Sequence, residues 1–186
     1  MMNRREALSR VAIIMGGTVL GAEAFLSGCT TKPTGLKFTK EDIAFLNEVA
    51  EIIIPTTNTP GAKEAQVGEF MSVMVTDCYD EKNQAIFMEG IKKLDAASEK
   101  MNNNNFLATS AKQRHDLLTS LDAEAKAYQG SKKPEEPKHY FTMMKELTLT
   151  GYFTSEIGAT KALRYVAVPG KFEGCVPYKK GDRAWA

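Results

Sequence analysis

Between residues 67 and 78, Val67, Phe70, Met71, Met74, Val75 and Cys78 follow one another at steps that keep all six on one face of an α-helix. No stretch of any length alternates apolar and polar residues as a half-buried strand does. A chain patterned in this way buries its apolar surface by packing helix on helix, so an all-α domain is expected. Methionines at such positions can serve as soft-metal ligands, but core packing accounts for Met71 and Met74 and is the reading adopted.

Other segments repeat the pattern. Thr39 suits the N-cap of a first helix, with Asp42 at the capping-box position and Ile43, Leu46, Ala50 and Ile53 on its inner face. Pro55 ends that helix, and the turn-forming cluster from Pro55 to Gly61 reads as a loop. Asp80 is expected to cap a third helix whose face runs Phe87, Ile91, Leu94, Ser98 and Met101, broken by the asparagines 102–105. Ser110 and Gln113 form a second capping box, ahead of Leu117, Leu118, Leu121, Ala125 and Tyr128. An exposed connection from Gly130 to Pro137 leads to a fifth helix at Tyr140, Met144 and Leu147, interrupted at Gly151. Thr154 is placed to cap a short sixth helix toward Leu163. From Tyr165 the periodicity stops, and prolines and glycines mark an irregular tail. The expected fold is one all-α domain of about six helices over residues 38–186, ending in that tail.

The first residues have a different character. Arg4, Arg5 and Arg10 precede an apolar run from Val11 to Ala22, which is short of the roughly 20 residues that cross a bilayer. Leu26-Ser27-Gly28-Cys29 resembles the bacterial lipobox, so residues 1–28 are expected to be a cleaved signal peptide with Cys29 lipidated. Residues 29–37 then form a tether. Arg4-Arg5 with Leu8 resembles a twin-arginine export signal, which carries folded cargo, although Ala7 and Ser9 depart from that pattern. Glu23 is unusual within such a leader, and an ordinary export signal or a buried N-terminal helix are the competing readings. Gly16, Gly17 and Gly21 lack the spacing and the βαβ setting of a dinucleotide fingerprint. The expected location is the periplasm, lipid-anchored, with the outer membrane preferred because Thr30 is not an aspartate.

Chemical motifs are sparse. The 186 residues hold 24 basic and 23 acidic side chains, and removing residues 1–28 takes three arginines and two glutamates, leaving 21 of each sign. A neutral mature chain offers no electrostatic footprint for nucleic acid. His115 and His139 stand without a ligand pattern, and the chain contains no H-E-x-x-H, C-x-x-C-H, Cys quartet or G-x-S-x-G. Glu135-Glu136, between prolines and beside Lys132-Lys133, reads as a solvated loop. No catalytic, cofactor-binding or metal-binding residue is therefore assigned to this chain. With Cys29 given to lipid, Cys78 and Cys175 remain, and in an oxidising compartment a disulfide between them would tie the tail to the core. Its stabilisation would be about 2–4 kcal/mol. Two free thiols are the alternative.

Several segments, in order, resemble the small-subunit family of gluconate 2-dehydrogenase and related membrane-bound sugar dehydrogenases. They are Ile52-Ile53-Ile54-Pro55-Thr56-Thr57-Asn58-Thr59-Pro60-Gly61-Ala62, Asp77-Cys78-Tyr79, and Gly151-Tyr152-Phe153-Thr154-Ser155-Glu156-Ile157-Gly158. Tyr165-Val166-Ala167-Val168-Pro169-Gly170 and Gly174-Cys175-Val176-Pro177 complete the set. The resemblance implies a non-catalytic partner of a large flavin-dependent oxidoreductase of the glucose–methanol–choline type. FAD would reside in that large subunit and haem c in a cytochrome c subunit. The small subunit would aid folding, export and membrane anchoring of the catalytic one. On that reading Tyr152, Phe153, Val168, Pro169 and Gly170 are candidates for the docking surface, while burial of Tyr152 and Phe153 in this chain's own core is the alternative. A free-standing periplasmic lipoprotein, binding a ligand or scaffolding an envelope complex, is the competing function.

Overall fold

In the computed structural model, residues 35–168 and 170–186 are described. Contacts divide the chain at Leu36 into two units, and the helices below all belong to the unit Lys37–Ala186. The leader, with Arg4 and Arg5, and the lipidation candidate Cys29 lie outside the described residues. Five α-helices follow in order: α1 Lys40–Ile53, α2 Val67–Cys78, α3 Glu81–Asn102, α4 Ala111–Ser131 and α5 Tyr140–Thr154. A 3-10 turn, Phe106–Ala108, precedes α4, and a π-helical turn, Gly158–Ala162, follows α5. Among the described residues the nearest thing to a strand is one isolated bridge between Arg164 and Trp185. The all-α expectation therefore holds.

Helix starts follow local chemistry. Thr39 caps α1 by accepting from the Asp42 N–H at 3.1 Å, and the Asp42 carboxylate accepts from the Thr39 N–H at 2.9 Å. Ser110 and Gln113 reciprocate in the same way at α4, and Asp80 caps α3 through the Asn83 N–H. At α2 local chemistry is missing, because Gln66 at the N-cap is left-handed and offers no side-chain bond. Asn47 of α1 supplies the cap instead: its Oδ1 accepts from the Gly68 N–H at 2.8 Å and its Nδ2 donates to Glu69 at 3.0 Å. The other end of α2 is closed by Gln84 of α3. Its buried Nε2 lies 3.1, 3.0 and 3.1 Å from the carbonyls of Val75, Thr76 and Tyr79.

Helix α5 is the centre of the unit Lys37–Ala186. It buries Tyr140, Phe141, Met143, Met144, Leu147, Thr148, Gly151 and Tyr152, and it packs against each of the other four α-helices. A helix apolar on most of its circumference has to be surrounded in this way. Around it lie Leu46, Val49, Met71, Val75, Phe87, Leu94 and Leu118, all buried. Each such side chain contributes about 1.5–3 kcal/mol by leaving water. The loop between α1 and α2 is drawn onto Glu51, which accepts from Thr56 N, Thr56 Oγ1 and Lys63 N at 2.8, 2.7 and 3.0 Å. Glu48, one turn earlier, pairs with both Lys63 and Arg114, and the Arg114 guanidinium lies over the Phe106 ring.

Some expectations are corrected. Gly151 does not interrupt α5: the helix runs to Thr154, and a Cβ at Gly151 would come within 2.6 Å of the Phe70 ring, so close helix packing calls for glycine there. Gly130 belongs to α4, which runs to Ser131. Ser155, rather than Thr154, caps the last turn, its hydroxyl accepting from the Gly158 N–H at 3.0 Å. The inner face of α1 is Phe45, Leu46, Val49 and Ala50, with Ile43 and Ile53 at its edges. Met101 and Cys78, both expected to face inward, are exposed, each in the last turn of its helix, where the stripe has run past the packed core.

His139 caps α5. Its Nδ1 accepts from the Phe141 N–H at 3.3 Å, and its ring packs against those of Tyr128 and Tyr140. Burial holds its pKa below the usual 6.5; Glu124, 3.8 Å from Nε2, pulls the other way, and Lys93 adds to the depression. A protonated ring could not accept the capping bond and would place positive charge at a helix N-terminus. Because the folded pKa is depressed, the unfolded chain takes up the proton first, so stability is full above about pH 6.5 and is lost as pH falls through the lower folded value. Melting curves from about pH 7.5 to 5 should show the native chain losing more stability than His139→Asn, which keeps an acceptor and cannot titrate. Parallel losses in the two proteins would refute the assignment.

Candidate docking surface

The chain leaves α5 through a tight turn. Ser155 Oγ donates to the Tyr152 carbonyl at 2.7 Å and accepts from Gly158 N, which starts the π-helical turn Gly158–Ala162. Arg183 returns from the end of the tail to cap that turn, Nη1 donating to the carbonyls of Thr160 and Lys161 at 3.3 and 2.8 Å. Arg164 N donates to the Ala184 carbonyl at 2.8 Å, and Ala186 N donates to the Arg164 carbonyl at 3.3 Å. The Arg164 guanidinium stacks on Trp185 with 4.6 Å to the ring centroid, a cation–π contact. Residues 165–182 are thus a loop whose two ends are fastened together.

What this loop presents is apolar. Val168 is 82% exposed, Phe172 95% and Tyr178 78%, and Tyr165, Val166, Val176 and Trp185 are exposed as well. Scattered exposed apolar residues need no explanation, but a concentration of large ones marks a contact surface. The connection at 132–138 gives the contrast. There the exposed residues are lysines, glutamates and prolines, with Lys133 N donating to Glu136 Oε2 at 2.9 Å, so Glu135-Glu136 is the solvated turn that its composition implies.

Of the five docking candidates, three are exposed: Phe153 at 41%, Val168 and Gly170. Pro169 lies outside the described residues. Tyr152 is corrected to a core residue. Its ring is 1% exposed and its hydroxyl donates to the Pro60 carbonyl at 2.6 Å. Phe153, the next residue round the helix, is partly exposed, and its ring meets that of Tyr152 edge-on with centroids 5.2 Å apart. Cys78 and Cys175 are both free, exposed thiols, so the expected disulfide is not formed in this structure. Cys78 lies at the solvent side of the end of α2, within 3.9 Å of Met74 Sδ.

Elsewhere, two shallow clefts of about 180 and 210 Å³ flank a Lys145–Asp122–Lys126 bridge on the surface of α4 and α5. Hydrogen bonds from Lys126 and Lys145 hold the Asp122 carboxyl below its usual range. His115, at the rim of the first cleft, is exposed beside Asp116. Among the described residues no group of three or more His, Cys, Asp or Glu side chains could hold a metal, and no helix is long and apolar enough to cross a membrane. Sequence reasoning missed Phe172, Tyr178 and Trp185 as surface residues, and Arg164 and Arg183 as the fastening. The available sign was a run of aromatics inside a segment too rich in Gly and Pro to bury them.

Compared with known protein families, residues 40–170 match the family described as gluconate 2-dehydrogenase subunit 3. No match was found among curated proteins or among solved structures.

Proposed function

The chain belongs to the gluconate 2-dehydrogenase subunit 3 family, and on that premise we propose that it is the small accessory subunit of a periplasmic, membrane-associated, FAD-dependent sugar or sugar-acid dehydrogenase. It assists folding of a catalytic large subunit, lends it an export signal through Arg4 and Arg5, and holds it at the membrane through lipid on Cys29. FAD belongs to the large subunit, and a cytochrome c subunit with haem c receives the electrons.

The observation that carries this reading is the family match over most of the mature chain, together with an exposed apolar surface at Phe153 and Val168. The leader supports the export and anchoring roles, since a twin-arginine-like signal suits a subunit that accompanies a folded, cofactor-loaded partner. A single acyl chain binds membranes marginally, whereas the several chains of a processed lipobox anchor stably.

The test is direct. Purified from detergent-solubilised membranes, the tagged full-length chain should bring down a yellow, FAD-containing protein that reduces a dye when sugar is added. Recovery without flavin or sugar-dependent dye reduction would remove the subunit assignment. Replacing Cys29 by alanine should shift the flavoprotein from the membrane fraction to the soluble periplasm, and unchanged sedimentation would refute lipid anchoring.

A further inference from the structure

The loop 165–182, taken with its fastened ends as residues 164–186, differs from the rest of the chain in three respects. Its large side chains are outside: Phe172 and Tyr178 carry almost their full ring surfaces in water. Its backbone is largely unpaired: among the described residues, backbone–backbone bonds occur only at its two ends and in the Lys179–Asp182 turn. Its charge is lopsided, since Arg164, Lys171, Lys179, Lys180 and Arg183 oppose only Glu173 and Asp182. Residues 164–186 thus carry +3, and because the mature chain is neutral, the remainder carries −3.

We propose that this loop is the arm by which the subunit grips its catalytic partner, with Phe172 and Tyr178 entering an apolar groove rimmed by carboxylates on that partner. The proposal rests on the subunit reading above and adds the surface and the chemistry of its counterpart. Exposed aromatic residues in a segment that also carries arginine have the composition of binding hot spots. Fastening at Arg164, Arg183 and Trp185 fixes the base of the arm before docking, which reduces the ordering cost of association. The unpaired backbone favours a protein over a lipid surface as the occupant. A protein groove can return hydrogen bonds to the free N–H and C=O groups, whereas hydrocarbon cannot. The excess of positive charge calls for an acidic rim opposite it and gives association a dependence on salt.

The experiment uses the full-length chain recovered with its flavoprotein from detergent-solubilised membranes. Two exposed-residue variants are compared with the native chain: Phe172→Asp with Tyr178→Asp, and Lys179→Glu with Lys180→Glu. Flavin per mole of subunit should fall about 10-fold or more for the aromatic pair. For the lysine pair it should fall about 3-fold at low salt, with the difference closing at high salt. Helical circular dichroism and melting should match the native chain in both. Native flavin recovery with both variants overturns the arm while leaving the subunit reading intact, whereas absence of flavoprotein from the native preparation overturns the reading itself. Full flavin recovery with lost binding to vesicles of phosphatidylglycerol and phosphatidylcholine would make the arm a membrane contact. Full recovery with a dimer reduced to a monomer would make it a self-contact. Either result overturns the proposal.

Discussion

Tyr152→Ala is expected to lower the unfolding free energy by about 3–5 kcal/mol, while Tyr152→Phe costs about 1 kcal/mol. The first change empties a ring-sized volume in the most central helix and removes the tie from α5 to the loop between α1 and α2. The second keeps the ring and deletes only the hydroxyl, leaving the Pro60 carbonyl to find water at the partly buried loop. Phe153→Asp, one position on, should cost about 0.5–1.5 kcal/mol, well below Tyr152→Ala, because its partly exposed ring loses only an edge contact with Tyr152. Urea unfolding followed by helical circular dichroism separates Tyr152→Ala from the other two. A stable Tyr152→Ala protein that has merely lost its partner would return Tyr152 to the docking surface and contradict its burial.

A second large effect is expected at Gly68→Ala. A Cβ there would be 2.6 Å from the Ile43 carbonyl oxygen and 2.9 Å from the Asn47 backbone nitrogen, and neither is a flexible side-chain tip. Helices α1 and α2 would have to separate, at a cost of about 1–3 kcal/mol for the overpacking. Separation also pulls Asn47 from the Gly68 N–H, adding about 1 kcal/mol for the lost cap. Asn47→Ala alone removes the cap without forcing the helices apart, so it should cost the smaller amount. Equal losses in the two variants would show that backbone proximity at Gly68 is not limiting.

Much of the helical framework was legible because its cues are local. Thr39 with Asp42, Asp80 and Ser110 with Gln113 each satisfy donors within three residues, and the structure uses all of them. The caps of α2 come from Asn47 and Gln84 on other helices, and nothing near residue 66 announces them. Gly151 was misread for the same reason: its lack of a side chain answers to Phe70, a residue far away in the chain. At the candidate surface, Phe153, Val168 and Gly170, named from short segments that resemble a family, are exposed. Tyr152 was misplaced because helix rotation, which sequence gives only to within a residue or two at a helix end, decides which of two adjacent aromatics is buried. Cys78 shows the same uncertainty in rotation at the end of α2.

The placement of α5 has a consequence for synthesis. The helix that every other α-helix needs is the last of the five to leave the ribosome. Until Thr154 has emerged, α1 to α4 can pack on one another, as α1 and α2 do at Asn47 and Gly68, but the faces they turn toward α5 stay uncovered. Completion of the core therefore waits for the last α-helix. That timing makes the appearance of α5 the moment at which the core can close.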